Sequence, residues 1–375
     1  MRCVARVALT FVMVALMTRQ GTSQPTGGVK KPPASIAPFF VPPKEYAGQM
    51  GAFRSLMKFD DGREVKTRED WAKRRVEIRD YWEKKLGKWP ALLQRPKVEF
   101  LGREKVGNFT RHKIQIELAE GVVRPAYLLV PDGEGPFPAV VSVFYDAESS
   151  AGLPGKVNVA SFGSDLAKRG FVTLCVATPD ADISKPAVHY PIQPLMYLAY
   201  LAANAHTALA QMKEVDPQRI GIIGFSFGGR WSMFASCLYD KYAAAVWSDG
   251  GVVFDESQLN ANYWEPWFLG LEKDVKRKPG APSKENPRRG AYKELFEEGH
   301  DLHELHALMA PRPFLVDGGS YDKAPRWVAL NHTIAVNRLL GVENRVAMTL
   351  RERHGPTEES REQIYRFFEY ALGAN

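Results

Sequence analysis

The chain is poor in cysteine, with three in 375 residues. So few thiols exclude a disulfide-stapled scaffold, and a hydrophobic core has to supply the stability. An excess of one charge is also missing: 50 Lys and Arg stand against 43 Asp and Glu, a net of +7. Arg2, Arg6 and Arg19 account for part of that excess. The remainder is too small to point to nucleic acid, and no RNA- or DNA-binding motif occurs. Glycine-rich phosphate loops and dinucleotide fingerprints are absent, so no cofactor is implied. No internal repeat is found. After the N-terminal segment, no stretch is long and apolar enough to cross a membrane.

The N-terminus reads as a targeting signal. Arg2 and Arg6 precede an apolar run, Val7 to Met17, and the small residues Gly21, Thr22 and Ser23 suit cleavage before Gln24. The expectation is a signal peptide over 1–23 and a secreted or periplasmic protein with no stable membrane insertion after its removal. An N-terminal anchor is the alternative. Cys3 leaves with the signal, and Cys175 and Cys237 fall in apolar patterns as buried thiols.

Residues 24–43 are rich in Pro, Gly, Ser and Thr and read as a linker. Residues 68–94 have helical spacing, with Trp71, Val76, Ile78, Tyr81, Trp82 and Leu86 as apolar positions among alternating charges. Residues 24–96 are therefore expected to form a linker and an N-terminal helical extension. From about residue 97 the pattern changes. Alternating strands are followed by short continuous apolar runs, PAVVSVF, FVTLCVAT, RIGIIGF, AAAVWS, PFLVDGG and RVAMTLR, most of them separated by helical segments. Strand then helix, repeated, predicts a mostly parallel sheet with helices on both faces over 97–375. Residues 250–300 interrupt the alternation with an aromatic cluster and a polar loop, and read as an insertion over the carboxyl ends of the strands.

The chemistry concentrates at Gly224-Phe225-Ser226-Phe227-Gly228-Gly229, between a clear strand and a clear helix. In that context G-x-S-x-G is a nucleophile elbow: a sharp turn lifts the serine hydroxyl out of the sheet at a helix N-terminus. The backbone N–H of Phe227 then faces the developing oxyanion. A serine needs a base, and the chain order in such folds is serine, acid, histidine. His354 follows the strand RVAMTLR in the loop Arg353-His354-Gly355-Pro356 and is the candidate base. Asp322, in the loop after PFLVDGG, is the first choice of acid, with Asp317 and Asp249 as alternatives. A second oxyanion donor is expected after PAVVSVF, from the backbone or hydroxyl of Tyr145.

These residues resemble a known superfamily. Residues 97 to 373 look like an α/β-hydrolase of the dienelactone-hydrolase and acetyl-xylan-esterase type. The resemblance is carried by DPQRIGIIGFSFGGRWSMFAS (216–236), APRPFLVDGGSYD (310–322) and RHGP (353–356). It implies a serine hydrolase acting on a small-molecule or polysaccharide ester through a Ser-His-Asp triad. Two departures narrow it. Dienelactone hydrolases use a cysteine nucleophile where this chain has Ser226. Glucuronoyl esterases share the architecture but place an arginine directly after the serine, where this chain has Phe227, with Arg230 further along the helix.

Within the insertion, Tyr263, Trp264, Trp267 and Phe268 offer a stacking wall for sugar rings or an aromatic acyl group, or pack the insertion onto the body. The basic residues Lys276, Arg277, Lys278, Arg288 and Arg289 offer attraction to an acidic polysaccharide, or a solvated loop. His303-Glu304-Leu305-His306 has H-E-x-H spacing rather than H-E-x-x-H and reads as helix packing, not a metal site. Two other functions compete with an esterase. A prolyl-oligopeptidase-type peptidase would need a large propeller for which 24–96 is too short. A catalytically silent binding protein would be expected to lack a triad member.

Overall fold

The computed structural model describes residues 31–178 and 191–373. The signal peptide expected over 1–23 lies outside the described residues. Among the described residues nine strands form one sheet in the order β1-β2-β3-β5-β4-β6-β7-β8-β9. They are β1 (Val98–Val106), β2 (Phe109–Ala119), β3 (Val122–Pro131), β4 (Phe137–Phe144), β5 (Val172–Ala177), β6 (Val215–Phe225), β7 (Ala244–Ser248), β8 (Phe314–Gly318) and β9 (Val346–Leu350). The first three are joined antiparallel, and β3 meets β5 antiparallel. From β5 through β4 to β9 every pairing is parallel.

Burial divides the sheet in the same way. β1 alternates little and is mostly exposed, whereas β4, β5, β7 and β8 are buried almost throughout. A parallel strand is covered on both faces by its crossover helices, which is why these segments are continuous apolar runs in the sequence. Among the described residues the α-helices are α1 (Arg68–Leu86), α2 (Ala147–Ser150), α3 (Phe162–Ala167), α4 (Pro194–Leu209), α5 (Phe227–Leu238), α6 (Gly290–Glu297), α7 (His303–Ala307), α8 (Trp327–Leu339) and α9 (Glu358–Leu372).

Residues 31–96 belong to the same compact unit as the sheet. Helix α1 starts at a capping box, in which Thr67 accepts from the Asp70 N–H and the Asp70 carboxylate accepts from the Thr67 N–H. It ends at Gly87, whose φ of 90° lies in the region that glycine tolerates. Its inward face carries Trp71, Ile78, Trp82 and Leu86. Val76, expected among these apolar positions, is 57% exposed, and Arg74 takes the buried place beside them. The Arg74 stem fills apolar space while its head pairs with Asp60 at 2.8 Å and with Glu77. Trp82 donates its indole N–H to Glu304 of α7 at 2.8 Å, and Lys85 bridges Glu294 and Glu298. Fully burying a side chain of this size contributes about 3 kcal/mol, so α1 is fixed to the body rather than tethered.

The insertion between β7 and β8 holds α6 and α7 and long loops. Phe268 lies with its ring 5.8 Å from that of Phe227, at the start of α5. The insertion therefore reaches the carboxyl ends of the parallel strands. In α7, Glu304 also takes His300 at 2.8 Å, and His303 bonds the Arg54 carbonyl at 2.8 Å. The His303 contact fastens the N-terminal segment to the body.

Candidate active site

The β6–α5 turn is as tight as the G-x-S-x-G pattern requires. Ser226 has φ 57° and ψ −113°, a conformation that L-residues rarely adopt. A Cβ on Gly224 would lie 2.0 Å from the Gly228 carbonyl oxygen, and one on Gly228 would lie 2.2 Å from that of Val143. Both glycines are therefore fixed by backbone approach. The Ser226 N–H donates to the Ser248 carbonyl at 2.8 Å, which ties the turn to β7.

Ser226 Oγ lies 2.9 Å from His354 Nε2, and His354 Nδ1 lies 2.7 Å from Asp249 Oδ2. The acid in this line is Asp249, not Asp322. This corrects the first choice made from the sequence and selects one of its alternatives. Asp249 follows β7 directly, has φ 45°, and is fully buried. Its Oδ1 accepts the backbone N–H groups of Gly319, Tyr321 and Asp322, each at 2.9 Å. Burial pushes this carboxyl up, but the His354 hydrogen bond, the Asp322 N–H and the nearby Arg351 charge outweigh it and hold it below the usual carboxylate range.

Asp322 is equally buried but turned away from the imidazole. It accepts from the Gly251 N–H at 2.8 Å and the Val252 N–H at 2.7 Å, in the loop that follows Asp249. The loop after β8 folds back on itself at Gly318, where a Cβ would lie 2.2 Å from the Asp322 carbonyl oxygen. That reversal aims the Asp322 carboxylate at the β7 loop and leaves the space beside His354 to Asp249. The two loops thus clasp each other, each offering backbone N–H groups to the other's carboxylate. Burial and the neighbouring Asp249 charge push Asp322 up to about 6. Asp317, the remaining alternative, is a buried brace. It takes Ser248 Oγ at 2.6 Å and Arg351, and Arg351 in turn donates to the His354 and Gly355 carbonyls.

The imidazole sits between two rings, Tyr321 at 4.2 Å and Phe225 at 4.8 Å. Tyr321 was not foreseen from the sequence, and only its place beside Asp322 could have drawn attention to it. The Phe227 N–H is at the first position of α5, where no intrahelical acceptor exists. Tyr145 stacks on the Phe227 ring at 5.2 Å. Both expected oxyanion residues are therefore beside the serine.

The aromatic wall is smaller than expected. Tyr263 and Trp264 are 0% and 1% exposed. Tyr263 donates its hydroxyl to the Gly251 carbonyl at 2.6 Å and so supports the Asp249 loop, while Trp264 bonds Glu265. Both pack the insertion onto the body, and of the three residues expected to bind substrate only Trp267 keeps partial exposure. The basic loop is also largely spent internally. Arg277 pairs with Glu265 with both side chains almost fully buried, Arg288 pairs with Glu256 at 2.6 Å, and Arg289 lies 3.6 Å from Glu272. Among the described residues no cluster of His, Cys, Asp and Glu is arranged to hold a metal ion.

The family described as BAAT / acyl-CoA thioester hydrolase C terminal matches residues 196–294, a span that contains Ser226 and Asp249. No curated protein sequence matches the chain. Among solved structures, a glucuronoyl esterase from Solibacter usitatus is similar with a TM-score of 0.69 at 20% identity, over 86% of this chain and 98% of that one. The chain adopts the α/β-hydrolase fold. A CE15 glucuronoyl esterase from Teredinibacter turnerae T7901 is similar with a TM-score of 0.62 at 17% identity, over 88% of this chain and 92% of that one. A protein from Bacteroides fragilis NCTC 9343, described as a candidate acetyl xylan esterase, gives 0.53 at 17% identity, over 81% and 78%. Within the α/β-hydrolase fold this chain keeps Phe227 directly after the serine and places its arginine one turn later, at Arg230.

Proposed function

We propose that the protein is a serine carboxylic-ester hydrolase that acts outside the cytoplasm on an ester of a carbohydrate. The observation that carries this reading is the line from Ser226 through His354 to Asp249, with hydrogen-bond distances of 2.9 and 2.7 Å. Ser226 Oγ attacks the ester carbonyl as His354 Nε2 takes its proton. The negative oxygen of the tetrahedral intermediate is held by the Phe227 N–H and by Tyr145. His354 then protonates the leaving alkoxide, and an acyl-enzyme remains. Water, deprotonated by the same imidazole, releases the acid and restores Ser226. Asp249 keeps the proton on Nδ1 and stabilises the imidazolium formed at each half-reaction. The carbohydrate ester is supported by similarity to proteins described as glucuronoyl and acetyl xylan esterases, and by partly exposed Trp267 as a stacking surface. The predicted N-terminal signal supports an extracytoplasmic site.

The test is hydrolysis of 4-nitrophenyl acetate, 4-nitrophenyl butyrate and acetylated xylan by the wild type and by Ser226→Ala. Activity that vanishes with the serine is the expected result, and the preference between acetate and butyrate sizes the acyl pocket. A wild type inert toward all three sinks the reading. The match over 196–294 favours a thioester as a second substrate class, which acetyl-CoA in the same assay checks.

A further inference from the structure

Arg230 is a buried cation. It lies four residues after Ser226 on α5 and is 3% exposed. One guanidinium nitrogen, Nη2, donates to the Asn260 carbonyl, and Nε is buried with no acceptor. The guanidinium rests over the rings of Phe268 at 4.5 Å and Tyr263 at 5.2 Å. Among the described residues no carboxylate pairs with it. The comparably buried arginines are all paired: Arg74 with Asp60 and Glu77, Arg111 with Glu104, Arg277 with Glu265, and Arg351 with Asp317. Ring faces and one carbonyl compensate only part of the cost of withdrawing a full charge from water.

The Phe268 ring under the guanidinium lies 5.8 Å from that of Phe227, the residue after Ser226, so the charge stands beside the reaction centre. Burial raises the hydroxyls of both Tyr145 and Tyr321, and Arg230 is the first charge opposing that rise in each. The Tyr145 ring stacks on that of Phe227, the residue after Ser226, and Tyr321 lies on the His354 ring. The two carboxylates nearby are otherwise engaged, Asp249 with His354 and three backbone N–H groups, Asp322 with two. The backbone of Arg230 is also fixed. A Cβ on Gly250 would lie 2.8 Å from the Arg230 nitrogen, so the helix and the Asp249 loop are in direct contact there.

We propose that Arg230 is a carboxylate-reading group of the substrate pocket, so that the ester cleaved at Ser226 carries a negative charge on the part of the substrate lying against it. The substrate's carboxylate supplies the counter-charge that none of the described residues provides. The inference rests on the esterase reading for the identity of the pocket, and its test separates the two.

Two pairs of charge twins are used on the Ser226→Ala protein, which binds without turnover. Monomethyl succinate and dimethyl succinate differ by a carboxylate on the acyl half. Acetoxyacetate and its methyl ester differ by one on the alcohol half. Calorimetric titration is expected to show the anionic twin of one pair binding about tenfold or more tighter. That ratio falls towards one in Ser226→Ala/Arg230→Met and is kept in part by Ser226→Ala/Arg230→Lys, with thermal melting to confirm that each variant folds. Equal binding of the twins in both pairs overturns the proposal, as does a preference that survives Arg230→Met. Wild-type hydrolysis of the same four compounds, followed by pH-stat, separates the two readings. Anion preference without turnover keeps the Arg230 site and removes the esterase. Turnover without anion preference does the reverse.

Discussion

The loops that follow β7 and β8 carry the same side chain and use it in opposite ways. Asp249 and Asp322 are both fully buried, and each accepts backbone N–H groups from the other's loop. Asp249 also meets the His354 imidazole and is held below the usual carboxylate range, whereas Asp322 faces no imidazole and is pushed up to about 6. Burial raises both, and the partners separate them: the His354 hydrogen bond and the Arg351 charge lower Asp249, whereas the Asp249 charge raises Asp322 further. Position relative to one nitrogen decides whether the carboxylate meets the imidazole or, a short distance away, only braces a loop.

The largest effect expected from this contrast is at Asp249. Asp249→Asn lowers kcat about 10⁴-fold with KM little changed, because the imidazole loses its anchored tautomer. Asp322→Asn, assayed on the same ester, loses far less. The reverse ranking would return the acid's role to Asp322. Gly319 comes next. A Cβ there would lie 2.6 Å from both Asp249 Oδ2 and the Arg353 carbonyl oxygen, so Gly319→Ala displaces the acid and lowers kcat about 100-fold through misplacement alone. Unchanged kcat in that variant would show that the clasp tolerates movement.

Asp322→Ala is expected to cost about 2–4 kcal/mol in urea unfolding, because it leaves the Gly251 and Val252 N–H groups buried and unpaired. Asp322→Asn keeps an acceptor oxygen and costs less. The pH dependence sharpens the point. A carboxyl raised from 3.8 to about 6 binds more protons folded than unfolded, so its contribution to stability falls as pH rises from about 4 to 6 and is flat above. Buried His206 and His303, pushed down to about 4, slope the other way across the same window. The diagnostic quantity is therefore the stability of wild type minus that of Asp322→Asn, which declines between pH 4 and pH 6. A flat difference would mean that Asp322 does not titrate there. The smallest effect expected is at Trp267, where replacement by Ala raises KM for a carbohydrate ester a few-fold and leaves stability within about 1 kcal/mol. The same change at buried Trp264 costs about 3–5 kcal/mol.

What could be read from the chain follows the range over which each feature is determined. The parallel strands and the serine turn are local. Ile220 to Ile223 must be apolar to be covered on both faces, and Gly224 and Gly228 must lack a Cβ for the turn to close. His354 was legible because it follows the last strand. The acid was not, since two loops on adjacent strands both offer an aspartate and the choice depends on how the β8 loop reverses at Gly318. One signal was present: Asp249 is followed by Gly250 and Gly251, and a Cβ on Gly250 would collide with Gly229 and Arg230. A paired glycine contact between the nucleophile helix and the following strand's loop places that loop beside the serine. Tyr263 and Trp264 were ambiguous for a different reason, because composition alone does not distinguish a wall open to ligand from one closed by Gly251 and Glu265.

The two described cysteines have a practical consequence. Cys175 lies in β5 and Cys237 near the end of α5, both fully buried and unpaired. Burial pushes the Cys175 thiol up to about 12 and raises that of Cys237 as well. Neither is a nucleophile while the chain is folded. An alkylating reagent therefore modifies them only when the sheet or the helix opens, and the two labelling rates time the breathing of two separate layers. The same silence lets a single cysteine introduced on the surface be tagged without altering either native one.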